Sequence, residues 1–150
     1  MSVVQTRFSE KKCRIEDGIF FPNDEAILLT GDPRNGYTGS KRGAILSLLE
    51  KSPDDWAEMY VNPSFLVQQN DLVISGGSGS WEGEGFIAVT LADSGALVWL
   101  LHLNESEEFT SVSHESGYIL AVSGKYPERY EWKIPLNRPE CLRVITGRAF

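Results

Sequence analysis

His102 and His114 are the only imidazoles in this chain and Cys13 and Cys141 its only thiols, so acid–base, nucleophilic or metal chemistry would have to be assembled from these four or from carboxylates. Neither histidine has a cysteine, a second histidine or a paired carboxylate at metal-ligand spacing. No Ser/His/Asp arrangement can be read along the chain. His102 follows Trp99-Leu100-Leu101 near the end of an apolar run, a setting that suits a hydrogen-bonded structural histidine better than a general base. The two cysteines lie at opposite ends of the sequence and read as free thiols in a reducing compartment, with a bridge tying the termini as the alternative. No catalytic residue, cofactor site or metal site is assigned.

The loops that approach known motifs fall short in chemistry. Gly31-Asp32-Pro33-Arg34-Asn35-Gly36-Tyr37-Thr38 lies between an apolar strand and a helix, as a phosphate-binding loop does. Tyr37, however, stands where the lysine belongs, and Pro33 removes an amide that would cradle phosphate. Gly76-Gly77-Ser78-Gly79-Ser80 precedes Trp81-Glu82-Gly83-Glu84 without a following helix, so no dinucleotide site is expected. It reads as a flexible loop, or as one that presents Trp81 with Glu82 and Glu84 to a partner, an aromatic anchor ringed by carboxylates. Asn104-Glu105-Ser106-Glu107-Glu108 could offer oxygens to a hard cation but lacks the alternating acids and central glycine of a calcium loop. It reads as an exposed acidic turn, as does Asp54-Asp55-Trp56-Ala57-Glu58; both are interface candidates. Lys125 to Pro135 mixes aromatic and basic side chains, but the alternation of Tyr130, Trp132 and Ile134 explains the aromatics as the inward face of a strand.

What sets the sequence apart is charge. From Ser52 to Gly124 it runs 73 residues without a Lys or Arg while carrying eleven carboxylates, whereas the flanking segments are close to neutral or basic. Such a one-signed block attracts cationic partners and repels phosphate backbones over roughly a Debye length of about 8 Å. A basic protein is the expected partner, and nucleic acid is not.

The elements that must position these residues follow from periodicity. Val3 to Phe8 alternates weakly as a first strand, and Gly18 to Pro22 and Ala26 to Thr30 supply further strands, with a reversal at Gly31 to Gly36. After Ser40 as N-cap, Ala44, Ile45, Leu48 and Leu49 share one face of a short helix ending near Ser52. A second short helix is expected from Pro53, with Asp54 and Asp55 at its positive end, stopping before Pro63. Strands are then expected at residues 64–67, 72–75, 85–91, 96–103, 109–113, 118–123, 130–134 and 142–145. Hairpins fall at Asp93-Ser94-Gly95 and at His114 to Gly117. Ala96 to Leu101 is apolar throughout, which predicts a central strand buried on both faces. The fold class is therefore α+β: an antiparallel meander over the second half, with one or two short helices near residues 41–60 packed on it.

At 150 residues, 41% hydrophobic and 23% charged, the chain fits a single soluble domain (1–150) that folds without staples. Its first residues lack the apolar run of about 7 to 15 that a secretory signal requires, and no run reaches the roughly 18 of a membrane span, so a cytoplasmic location away from membranes is expected.

In size, net charge of −7, absence of a signal and of catalytic constellations, the chain resembles the small acidic cytoplasmic immunity proteins with which bacteria neutralise the toxins of competing cells. The segment Ala96 to Leu136, with Trp99-Leu100-Leu101-His102-Leu103 and Tyr126-Pro127-Glu128-Arg129, belongs to the same likeness. The resemblance implies a tight 1:1 heterodimer with a basic toxin or nuclease domain. Glu82, Glu84, Glu105, Glu107 and Glu108 would mimic substrate phosphates, with Asp54, Asp55 and Glu58 as further contacts and Trp81 or Trp56 as anchors. The alternative is a small enzyme or ligand-binding domain whose pocket over the sheet gathers Glu82, His102 and Tyr118.

Overall fold

The computed structural model describes the chain apart from residue 1, residues 80–83, 126–127 and 150, and the side chains of 125, 128 and 146–149. It is an α+β structure dominated by antiparallel strands. The first element is a helix, α1 (Val3–Ser9), where alternation predicted a strand. Tertiary capping decides the matter. The Ser2 hydroxyl accepts from the Gln5 amide at 2.9 Å, and the Asp24 carboxylate accepts from the amides of Val3 and Val4 at 3.1 and 2.9 Å. Val4 and Phe8, four residues apart, then face the core.

The chain continues through β1 (Lys12–Arg14), β2 (Gly18–Phe20), β3 (Glu25–Asp32), β4 (Gly36–Gly39) and β5 (Gly43–Ala44) to a single helical turn and a half, α2 (Leu46–Lys51). This helix starts later than the Ser40 cap predicted, because Gly43 and Ala44 pair with Ala26 and Glu25 instead. No residue of α2 is fully buried; Leu48 and Leu49 are half-buried against the core. The helix expected from Pro53 is absent. In its place β6 (Trp56–Glu58) pairs with β1 in a two-stranded ribbon, with Arg14 opposite Trp56 and Lys12 opposite Glu58. The governing pattern is period two: Ala57 and Met59 point inward while Trp56, Glu58 and Tyr60 point outward. Nor does Pro63 stop anything, since it sits in the bulge of β7 (Tyr60–Gln69), between Val61 and Leu66.

From here the strands follow the expected meander: β8 (Leu72–Ser78), β9 (Gly85–Leu91), β10 (Leu97–Leu103), β11 (Phe109–Glu115), β12 (Tyr118–Lys125), β13 (Glu128–Pro135) and β14 (Arg143–Ala149). The larger sheet has the order β4-β3-β2-β10-β9-β8-β7, and the smaller is β11-β12-β13-β14. Both expected hairpins form. Ser116 and Gly117 take φ of +46° and +81°, the two left-handed residues that a tight hairpin of this hand requires.

As predicted, β10 lies at the centre of its sheet and is buried on both faces. Trp99, Leu101 and Leu103 enter the core shared with the smaller sheet, whereas Leu97 and Leu100 enter a second core beneath α1, the β1–β6 ribbon and Ile45. Between the sheets Trp132 is fully buried, with Phe109 5.7 Å and Tyr37 6.0 Å from its ring. The Trp99 indole donates to the Leu136 carbonyl at 2.9 Å and ties one sheet to the other.

Candidate functional site

The register brings acidic segments from separate parts of the chain to one end of the larger sheet. Tyr60 of β7 pairs with Ser78 of β8, Ser78 with Gly85 of β9, and Gly85 with Leu103 of β10. One strand further, Gly18 of β2 pairs with His102. Just beyond this row stand Glu58, Glu84, the turn 104–108 and Asp17. An antiparallel meander places alternate turns at the same end, so a stretch without cations delivers carboxylates from alternate turns to one place.

Specific contacts hold these turns together. A Cβ on Gly85 would collide with the Glu107 carbonyl and the Ser106 hydroxyl, so the start of β9 lies directly against the 104–108 turn. Ser106 is fully buried and donates to the Glu107 carbonyl at 2.9 Å, while Glu107 itself holds a left-handed φ of +64°. Glu108 accepts from the Asn62 side-chain amide at 3.1 Å, and its carbonyl accepts from the Gly124 amide at 3.0 Å. At the edge strand, the Tyr60 hydroxyl donates to Glu58 at 3.2 Å. Asp17 accepts from the Asn104 amide at 2.7 Å. Burial raises the Asp17 pKa above the ordinary aspartate value, opposed by the Asn104 bond and reinforced by Glu105. The Tyr37 hydroxyl nearby is buried without a hydrogen-bond partner; burial first, then Asp17, Glu105, Asp32 and Tyr130, push its pKa well up.

Glu105 and Glu108 are exposed, Glu107 is half-buried and Glu84 is buried, so these acids meet solvent to different degrees. Trp81 and Glu82 lie outside the described residues. Asp54, Asp55 and Trp56 belong to the ribbon layer rather than to the turns at the sheet end. Both aspartates are exposed, but Trp56 is half-buried. Arg7 and Arg14 lie over its ring at 5.4 and 5.0 Å, and its indole N–H donates to the Pro53 carbonyl at 3.0 Å. An aromatic already stacked by the chain's own cations is not a free anchor.

The glycine run also differs from a loop. β8 continues through Ser78, and a Cβ on Gly76 would meet the Phe65 ring at 2.6 Å while one on Gly77 would collide with the Tyr60 carbonyl. These glycines admit close packing of the bulged edge strand.

His102 is fully buried; its Nδ1 lies 3.1 Å from the Glu16 carbonyl, which makes it the donor and leaves Nε2 as the lone-pair nitrogen of a neutral ring. Nε2 has no hydrogen-bond partner, and the Glu84 carboxylate is 3.9 Å away. Tyr118 sits in the other sheet, opposite Glu115 and Pro135 at the far end of β11 from Phe109, with Lys133 over its ring at 4.3 Å. His102 and Tyr118 therefore do not line a common pocket. Among the described residues no three His, Cys, Asp or Glu side chains come together as a metal set, and no helix is long and apolar enough to cross a membrane. Both cysteines are free, Cys13 buried and Cys141 exposed.

Sequence reasoning did not single out Asp17, Tyr60 or Asn62. Asp17 lies outside the cation-free block, and the latter two fell within a segment read as helix; the inward alternation of Ala57 and Met59 was the signal that would have found them. Compared with protein-family models, with curated proteins and with solved structures, the chain has no match.

Proposed function

We propose that this chain is a protein-binding inhibitor that occludes a basic protein in a 1:1 complex, an immunity-type protein that neutralises a cationic nuclease toxin. The observation that carries this reading is the cross-strand row Tyr60–Ser78–Gly85–Leu103, beyond which Glu58, Glu84, Glu105, Glu107, Glu108 and Asp17 stand together. A nuclease cleft is built to receive phosphates, and carboxylates held by Asn62, Tyr60 and Asn104 offer oxygens at fixed positions in their stead. Pre-positioning matters because ordering each long side chain on binding costs about 0.5–1.5 kcal/mol. The separation of His102 from Tyr118 weighs against the pocket enzyme.

The test is retention of proteins from a source lysate at about 50 mM and about 500 mM salt, since charge steering weakens as ions screen it. A basic protein of nuclease activity, held stoichiometrically and silenced by the added chain, is the expected result. Capture of only acidic or neutral proteins, with the same yield at both salts, would sink the reading.

A further inference from the structure

The second face of the larger sheet is only partly covered. Phe86 and Ala88 of β9 lie in the core under α1 and the ribbon, but their neighbours one and two strands outward do not. Val61 and Leu66 of β7, paired with Gly77 and Ser75, are 56% and 59% exposed, whereas Phe65 of the same strand is fully buried. Where the cover stops, an open groove of about 620 Å³ runs between the ribbon and the sheet, with Phe8, Met59 and Phe86 at its floor and Val61 along its outer wall. Two large aliphatic side chains more than half exposed, Val61 lining the groove and Leu66 paired with Ser75 of its wall, form a patch of the kind that marks an interaction surface.

Charge selects what can occupy it. The strands that build this strip, β7, β8 and β9, contain no Lys or Arg, and the charged residues of their connections are all acids: Asp71, Glu82, Glu84 and Asp93. Glu58 and Glu10 stand on the groove rim, and Lys11 is the one cation among its described lining residues. The strip is continuous with the acidic turns through Tyr60, bonded to Glu58, and Asn62, bonded to Glu108. A second copy of a chain of net charge −7 would bring like charge against like. We propose that this strip of β7 and β8 docks a cationic polypeptide segment in which apolar side chains alternate with lysine or arginine, the apolar ones entering the groove and the cations meeting Glu58 and Glu108. The inference rests on the inhibitor reading and names the surface that supplies its apolar contact area.

A short peptide alternating Leu and Lys, and the same peptide with Ser in place of Leu, are the probes, each titrated into the labelled protein while backbone amide shifts are followed. The Leu-bearing peptide should bind about tenfold or more tightly than its Ser counterpart, with shifts over residues 60–77, and L66K and V61K should each abolish that preference while keeping the native amide spectrum. Equal binding of both peptides, with shifts confined to Glu84 and residues 104–108, would overturn the docking strip and leave the inhibitor reading standing. Failure of the Leu-bearing peptide to bind would likewise overturn the docking strip, whereas the inhibitor reading falls only if no basic protein is retained at low salt. Self-association of the unmodified chain that L66K abolishes would make the strip a contact between copies and also overturn the proposal.

Discussion

Asn62, in the bulge of β7, donates its side-chain amide to the Glu108 carboxylate at 3.1 Å, joining two residues 46 positions apart. The bond crosses from the edge of one sheet to the turn that leads into the other, and it fixes one carboxylate of the acidic end. Asn62→Ala should cost at most about 1 kcal/mol of stability, since the pair is exposed. It should nevertheless weaken binding of the cationic partner severalfold at unchanged net charge; equal affinity in a titration would show that Glu108 needs no positioning.

The three glutamates of the 104–108 turn offer a second test. Replacing Glu105, Glu107 and Glu108 together by Gln removes three charges while keeping shape, so thermal stability should shift little. Partner association should slow about tenfold or more at low salt and converge with the unmodified chain at high salt. A loss of affinity that persists unchanged in high salt would point to misfolding of the turn rather than to charge.

Ser123 governs the core between the sheets. Its hydroxyl accepts from the Trp132 indole N–H at 2.8 Å, and both residues are fully buried. Ser123→Ala leaves that donor without a partner, which costs about 1–3 kcal/mol. Chemical denaturation should report a lower midpoint at unchanged slope.

The two thiols should be distinguishable by rate. Burial first, then the charge of Glu84, pushes the Cys13 thiol up to about 12, so at neutral pH it is protonated as well as hidden. A thiol reagent should modify exposed Cys141 at once and Cys13 only at the rate of opening. The unfolded thiol ionises near 9 while the folded one stays neutral to about 12, so this group lowers stability as pH rises across that interval. Immediate reaction of two thiols in the native protein would contradict the buried assignment.

His102 supplies the acid-side counterpart. Burial holds its pKa below the ordinary value of 6.5, although the Glu16 carbonyl and carboxylate act the other way. The unfolded chain thus takes up a proton before the folded one does. The His102 contribution is complete above pH 6.5 and is lost progressively as pH falls below it toward the depressed folded value. His102→Gln should flatten the slope of stability against pH in that window.

Much of the architecture was legible in the residues. The apolar run Ala96 to Leu101 marked the central strand because a strand buried on both faces has no polar side to show, and Asp93-Ser94-Gly95 and His114 to Gly117 marked hairpins through their turn chemistry. The N-terminal half was less so. Val3 to Phe8 is a helix because Asp24, distant in sequence, caps it, and Trp56 to Glu58 is a strand because β1 offers a backbone partner. Short segments of weak propensity take their conformation from such tertiary hydrogen bonds, which no local pattern encodes.

The same division runs through the candidate site. Which residues are carboxylates, and that no cation interrupts them from Ser52 to Gly124, is a property of the sequence alone, as is the alternation that makes the meander. Only the tertiary structure decided that Glu58, Glu84 and the 104–108 turn meet Asp17 at one sheet end, that Trp56 is stacked by Arg7 and Arg14, and that Val61 and Leu66 remain exposed. The physical reason is register: spacing along a chain tells which side chains share a face of a strand, but which strands lie side by side is set by pairing between segments far apart.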